Sequence, residues 1–73
     1  MMEHREAFLS VVKDYCRRNE SEYIPLNTFD KLTNKRVGIS NPRAMRAFID
    51  LIWEGEIGLQ IVSGKKRIYE GGR

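Results

Sequence analysis

Two short clusters of cationic side chains carry the clearest chemical signal in the sequence, which is the binding of anions. Arg43 and Arg46 are three residues apart in a predicted helix, so both can project from one face. Arginine in such a place can form bidentate hydrogen bonds to guanine or contact a phosphate. Lys65, Lys66 and Arg67 are consecutive at a predicted hairpin tip, where lysines suit phosphate contacts that do not read sequence.

Each cluster also has a plainer structural interpretation. Arg46 can pair with Asp50 at i,i+4 on a solvated helix face. The hairpin cations can keep strand edges from associating with other chains. The charge distribution nevertheless favours an anionic partner, because residues 57–73 carry four basic residues and one acidic residue, net +3.

Four further residues precede the arginine cluster and extend the candidate anion-binding surface. Lys35 and Arg36 form a basic pair ahead of the predicted helix. They can contact a flanking phosphate or simply belong to a polar turn. Ser40 and Asn41 can cap the helix with a side-chain oxygen or leave its first N–H groups to a phosphate, and capping is the favoured interpretation.

The sequence contains no arrangement typical of an active site or a metal centre. Cys16 is the one cysteine and falls on the apolar face of a predicted helix, where a small buried side chain is expected. His4 has no second histidine and no nearby set of ligands. No glycine-rich phosphate loop precedes a helix, and no nucleophile–base pair is evident. We therefore expect no enzymatic activity, no cofactor, no metal and no small-molecule substrate.

Length and composition predict a small globular protein. The 73 residues suggest one domain over 1–73 with an ordered core of about 4–70. No apolar run approaches the roughly 20 residues that span a bilayer, and the charged N-terminus does not resemble a secretory signal. A single cysteine suits a reducing compartment. We therefore expect an intracellular, cytoplasmic protein, nucleoid-associated if the source is a prokaryote, with no membrane partner.

Amphipathic helices must position the arginine cluster. Residues 4–19 are predicted as the first helix because their apolar residues recur at spacings of three and four. Tyr23-Ile24-Pro25 is predicted as a short edge strand, since proline cannot donate to a sheet ladder. A second helix of about two turns is expected to begin near Leu26 or Asn27.

The third predicted helix contains Arg43 and Arg46 and has both ends marked. Pro42 suits the first helical position, and Gly55 suits the left-handed residue that ends a helix. At about 100° per residue, the apolar arc comprises Ala44, Met45, Phe48, Ile49, Leu51 and Ile52, with Trp53 at its edge. The opposite face comprises Arg43, Arg46, Ala47, Asp50 and Glu54. This face is basic in its N-terminal half and acidic in its C-terminal half. Only the N-terminal half is therefore expected to approach a polyanion.

A C-terminal hairpin is predicted from an alternating pattern after Gly55. Ile57, Leu59 and Ile61 are expected to point one way and, with Ile68, to cover the ends of the helices. A turn centred on Gly64-Lys65 is preferred, because glycine at the first central position suits a type II′ turn. That turn pairs Ile61 with Ile68. A turn centred on Ser63-Gly64 is the alternative and pairs Leu59 with Ile68.

This order of elements resembles the winged helix-turn-helix family, over about residues 4–70. Gly38-Ile39-Ser40 resembles the entry to the family's third helix, and Leu51, Gly55 and Ile57 resemble its exit into the first wing strand. Arg67 and Tyr69 resemble the end of the wing, and Tyr23 through Leu26 resemble the first strand and the start of helix two. The resemblance implies an α+β fold of three helices, a short first strand and a C-terminal hairpin wing.

The resemblance also implies a function. Family members usually place the third helix in the major groove of DNA and the wing on the backbone or in the minor groove. By position, the recognition face is Ser40, Asn41, Arg43, Arg46 and Ala47, and the wing contacts are Lys65, Lys66 and Arg67. The implied protein is a sequence-specific double-stranded DNA-binding protein, a small transcriptional regulator. A further interpretation is that the same surface binds structured RNA.

Trp53 supports the alternative of a winged-helix protein–protein interaction module. The favoured role of this side chain is packing at the edge of the core against the hairpin. An exposed tryptophan would instead make a strong interface anchor, in a homodimer or with another subunit. The oligomeric state stays open, because a monomer of this size contacts one half-site and no extra dimerisation helix is evident.

Overall fold

The computed structural model describes residues 4–34 and 42–71, which form three helices and three strands in the predicted order. These are α1 (His4–Asn19), β1 (Tyr23–Pro25), α2 (Leu26–Asn34), α3 (Pro42–Trp53), β2 (Ile57–Val62) and β3 (Lys65–Glu70). The fold class is α+β, and its element order is compatible with a winged-helix topology. None of the described helices is long and apolar enough to cross a membrane.

The three strands form one antiparallel sheet in the order β1-β3-β2. β1 lies at an edge, with Ile24 opposite Ile68 and Pro25 opposite Arg67. The edge position suits Pro25, which has no N–H to donate to a neighbouring strand. The predicted short edge strand is therefore confirmed.

The register of the β2–β3 hairpin differs from the preferred prediction. Val62 pairs with Lys65 and Leu59 with Ile68, so the turn is centred on Ser63-Gly64. The prediction of a Gly64-Lys65 turn, with Ile61 opposite Ile68, is wrong. Ser63 and Gly64 both have positive φ, 52° and 76°, as a type I′ turn requires at both central positions. Ser63 thus adopts a left-handed conformation that favours glycine or asparagine.

Three phenylalanines, one from each helix, form the centre of the core. Phe8 and Phe48 lie 5.4 Å from Phe29 between ring centroids, and 6.3 Å from each other. Such tilted and edge-on arrangements are the favoured ones for aromatic pairs. Ile24 and Ile68, paired across the sheet, are fully buried in the same cluster. The sheet and the three helices therefore share one core.

The outer part of the hairpin lies beyond this core. Ile57 and Ile68 are buried, but Leu59 and Ile61 are 42% and 68% exposed. The expectation that all four cover the helix ends is therefore wrong for Leu59 and Ile61. Alternation places them on the core side of the sheet, but burial ends after Gly58, where the helices no longer cover the strand.

Two helices end in the same hydrogen-bonded motif. At the end of α3, Gly55 has φ 76°, its N–H donates to Ile52 O at 3.1 Å and the Glu56 N–H donates to Leu51 O at 3.0 Å. This Schellman arrangement confirms the predicted role of Gly55. α1 ends in the same way, with Glu20 at φ 49° and the Ser21 N–H donating to Cys16 O at 3.0 Å.

Candidate nucleic-acid interface

Lys65 and Lys66 are exposed beside the hairpin turn, at the start of β3. Neither takes part in an ion pair with any residue of the described ranges 4–34 and 42–71. Successive side chains of a strand point to opposite faces, so the two ammonium groups lie on either side of the hairpin. The hairpin tip therefore presents positive charge that the neighbouring structure does not neutralise.

Arg67 is held against the outer face of the sheet. Its guanidinium carbon lies 4.2 Å from the centroid of the Tyr23 ring, within cation–π distance. Its Nη1 donates to the Tyr69 hydroxyl at 3.5 Å, and this hydrogen bond raises the pKa of Arg67 above its ordinary value. The Tyr23 and Tyr69 rings lie 5.5 Å apart. Arg67 is thus a positioned cation at the base of the hairpin and does not lie at its tip.

A groove of about 760 Å³ runs between the hairpin and the start of α2. Its lining includes backbone or side-chain atoms of residues 65–67 of the hairpin and, across from them, the first turn of α2, with Asp30 beyond it. Basic residues, a helix N-terminus, which carries partial positive charge, and one carboxylate therefore border this groove. Its electrostatics suit a segment of phosphate backbone.

The arginines of α3 are exposed, but Arg46 has a carboxylate partner. Its Nε donates to Asp50 Oδ1 at 3.2 Å, and its side chain is 79% exposed. An exposed i,i+4 pair contributes only about 0.3–0.5 kcal/mol, so a phosphate or a base edge can replace the carboxylate. Arg43, at the start of the same helix, is also exposed.

Ala47 differs from its predicted position. It is partly buried and packs against the core cluster, whereas the sequence pattern assigned it to the exposed face with the arginines. Lys35, Arg36, Ser40 and Asn41 lie outside the described residues. The structure therefore presents Arg43 and Arg46 on α3, and Lys65, Lys66 and Arg67 on the hairpin.

An exposed apolar stripe runs along α3 beside Arg46. Met45, Ile49 and Trp53 are 41%, 42% and 84% exposed and follow one another at intervals of four residues. The prediction that Trp53 packs against the hairpin at the core edge is therefore wrong. The predicted apolar arc was too broad, because α3 buries only the side that bears Ala44, Phe48 and Leu51. Met45, Ile49 and Trp53 lie on a different side of α3 from these buried residues.

The acidic end of α3 is tied to α1. Glu54 forms an ion pair with Arg5, joining the C-terminal end of α3 to the start of α1. Asp50 and Glu54 therefore both have basic partners within the chain. Sequence reasoning missed the Arg5–Glu54 contact because it joins residues far apart in the chain without a local pattern.

Cys16 lies in the core, apart from the exposed basic residues. Cys16 is buried, and burial raises the pKa of its thiol, with a smaller contribution from the charge of Glu70. Within residues 4–34 and 42–71, no group of three or more acidic, cysteine or histidine side chains is placed to hold a metal ion.

Comparison with protein-family models, curated proteins and solved structures found no significant match for this chain.

Proposed function

We propose that this protein is a winged-helix transcriptional regulator that binds double-stranded DNA with its hairpin and the first half of α3. The main support is the pair of exposed hairpin lysines, which have no carboxylate partner among residues 4–34 and 42–71 and lie beside a groove that ends at the first turn of α2. Positive charge of this kind contributes affinity through phosphate contacts and counterion release. The order of helices and strands is the one such proteins use.

The two regions have different roles in this proposal. Lys65 and Lys66 contact the backbone and do not distinguish sequences. Arg43 and Arg46 face the base edges of the major groove, where Arg46 exchanges Asp50 for a base or a phosphate. Asp50 and Glu54 offset the basic residues beside them, so the C-terminal half of α3 has no excess positive charge and DNA contact is confined to the N-terminal half.

Removal of both hairpin lysines tests the backbone contact. The Lys65→Ala/Lys66→Ala double variant should weaken binding to every duplex sequence, and the slope of log affinity against log salt should fall by about two. Gel-shift titrations at several salt concentrations measure both quantities. Lys13→Ala, which removes an exposed lysine of α1, is the matched control and should leave the slope unchanged. An unaltered slope in the double variant would refute the role of the hairpin.

A second candidate function is that of a protein–protein interaction module. The specific observation is the 84% exposure of Trp53, next to Ile49 on the stripe. Tryptophan is enriched among the residues that dominate binding energy at interfaces. Absence of binding to any duplex at micromolar protein would favour this function over DNA binding.

A further inference from the structure

The stripe of Met45, Ile49 and Trp53 has the form of a helix–helix contact surface. Four residues of an α-helix rise by about 6 Å, so the three side chains form a line of about 12 Å along α3. Each of the three residues is more than 40% exposed, although their side chains are largely apolar: a thioether, an aliphatic chain and an indole. The opposite side of the same helix is already buried in the core.

The charges next to the stripe change sign along the helix. Arg46 is near the N-terminal end, Asp50 lies one turn further on, and the two form a pair along the border of the stripe. In a parallel pair about a twofold axis, the border of one copy that bears Arg46 and Asp50 lies against the other border of its partner, so neither charge gains a partner across the interface. In antiparallel alignment, Arg46 of one copy lies near Asp50 of the other, so the borders are complementary.

We propose that α3 pairs in antiparallel orientation with α3 of a second copy of this chain, about a twofold axis near Ile49. Trp53 of each copy then packs on Met45 of the other, and the two Ile49 side chains meet at the axis. One self-complementary patch serves both copies, as twofold symmetry requires. The pairing rests on the second candidate function, protein binding through α3, and it competes with DNA contact by α3 because Arg46 borders the paired surface.

The predicted dimer is weak. α3 has twelve residues and is about 18 Å long, so one helix pair covers less than the roughly 800 Å² per partner of a stable complex. We expect a dissociation constant of micromolar order or weaker. The protein therefore exchanges between monomer and dimer as its concentration changes.

Sedimentation equilibrium over about 1 μM to 1 mM protein tests the pairing, since this range brackets the expected affinity. The wild-type mass should rise from monomer to dimer across the range. Trp53→Ala and Ile49→Lys should each weaken association at least tenfold. Ile61→Ala removes another exposed apolar side chain, on β2, and should leave association unchanged. Circular dichroism shows whether each variant is folded. If Ile49→Lys unfolds, Trp53→Ala still tests the pairing, because it changes an exposed side chain.

Charge reversal tests the orientation of the two helices. Arg46→Asp and Asp50→Arg should each weaken self-association, and an equimolar mixture of the two variants should associate more strongly than either alone. In a parallel pair the two charged borders lie on opposite sides of the interface, so the mixture would associate no more strongly than either variant alone.

Three results would overturn the proposal. The first is a wild-type protein that stays monomeric at 1 mM, which would leave the stripe to a different protein partner. The second is association that survives both Trp53→Ala and Ile49→Lys. The third is a loss of association in the Ile61→Ala variant. Gel shifts with Trp53→Ala, which keeps all the basic residues assigned to DNA contact, decide DNA binding separately, so failure of the dimer and failure of DNA binding give different results.

Discussion

The hairpin and α3 both expose basic residues, but the structure places those residues in different surroundings. Lys65 and Lys66 have no carboxylate partner in the described part of the chain. Arg46 is paired with Asp50 and lies next to an apolar stripe. The hairpin is thus suited to attracting any polyanion, whereas α3 must exchange one partner for another. Nonspecific affinity is therefore expected from the hairpin, and discrimination between sequences from α3.

The largest expected effect is the loss of discrimination in Arg46→Ala. The variant should lose roughly 1–3 kcal/mol of specific binding, as expected for a base-reading arginine, and should bind random duplex nearly as well as the wild type. Competition gel shifts with selected and random DNA measure the two affinities. Arg17→Ala is a close control, because Arg17 pairs with Asp14 at 3.2 Å and is 78% exposed, much as Arg46 pairs with Asp50. Equal weakening on both DNAs would assign Arg46 to the backbone and remove the contrast with the hairpin.

A smaller effect is expected at the base of the hairpin from Arg67→Lys. Lysine keeps the charge but loses the planar stacking on Tyr23, so the free energy of unfolding should fall slightly. Urea denaturation followed by circular dichroism measures this change. The salt slope of DNA binding should remain as in the wild type. Arg67→Ala removes the charge, so a fall of about one in its salt slope would place Arg67 with Lys65 and Lys66 as a direct phosphate contact.

The smallest effect is expected from Ser63→Asn in the hairpin turn. Asparagine tolerates the left-handed conformation that Ser63 adopts at φ 52°, and Asn-Gly is a preferred type I′ pair. The free energy of unfolding should rise by a few tenths of a kcal/mol, with DNA affinity unchanged. Ser10→Asn, in the middle of α1, is the control and should leave the free energy of unfolding nearly unchanged, because serine and asparagine have similar helix propensities. Destabilisation by Ser63→Asn would contradict the Ser63-Gly64 turn.

Local patterns in the sequence predicted most of the elements. The bounds of α1 and β1, the start of α3 at Pro42 and its end before Gly55 all agree with the structure. Each depends on short-range chemistry: apolar spacing, the missing N–H of proline, and the conformational freedom of glycine. The turn register failed for a related reason. The preference for glycine at the first central position overlooked that Ser63 can take positive φ.

The features that local sequence patterns did not predict depend on contacts between distant parts of the chain. Periodicity placed Met45, Ile49 and Trp53 in an apolar arc but could not show which side of that arc meets the core. The stacking of Arg67 on Tyr23 and the pair of Arg5 with Glu54 join distant parts of the chain. The candidate cations could be named from the sequence, but which of them have partners depends on these contacts.

The exposure of Trp53 also has an optical consequence. It is the single tryptophan of the chain, and its indole is largely in water while the protein is folded. Unfolding therefore changes its surroundings little, so its emission spectrum should be nearly silent in a denaturation experiment. Any molecule that covers α3 should shift the emission towards shorter wavelengths. The unlabelled protein thus carries a fluorescent reporter that registers occupancy of one helix face and is almost blind to folding.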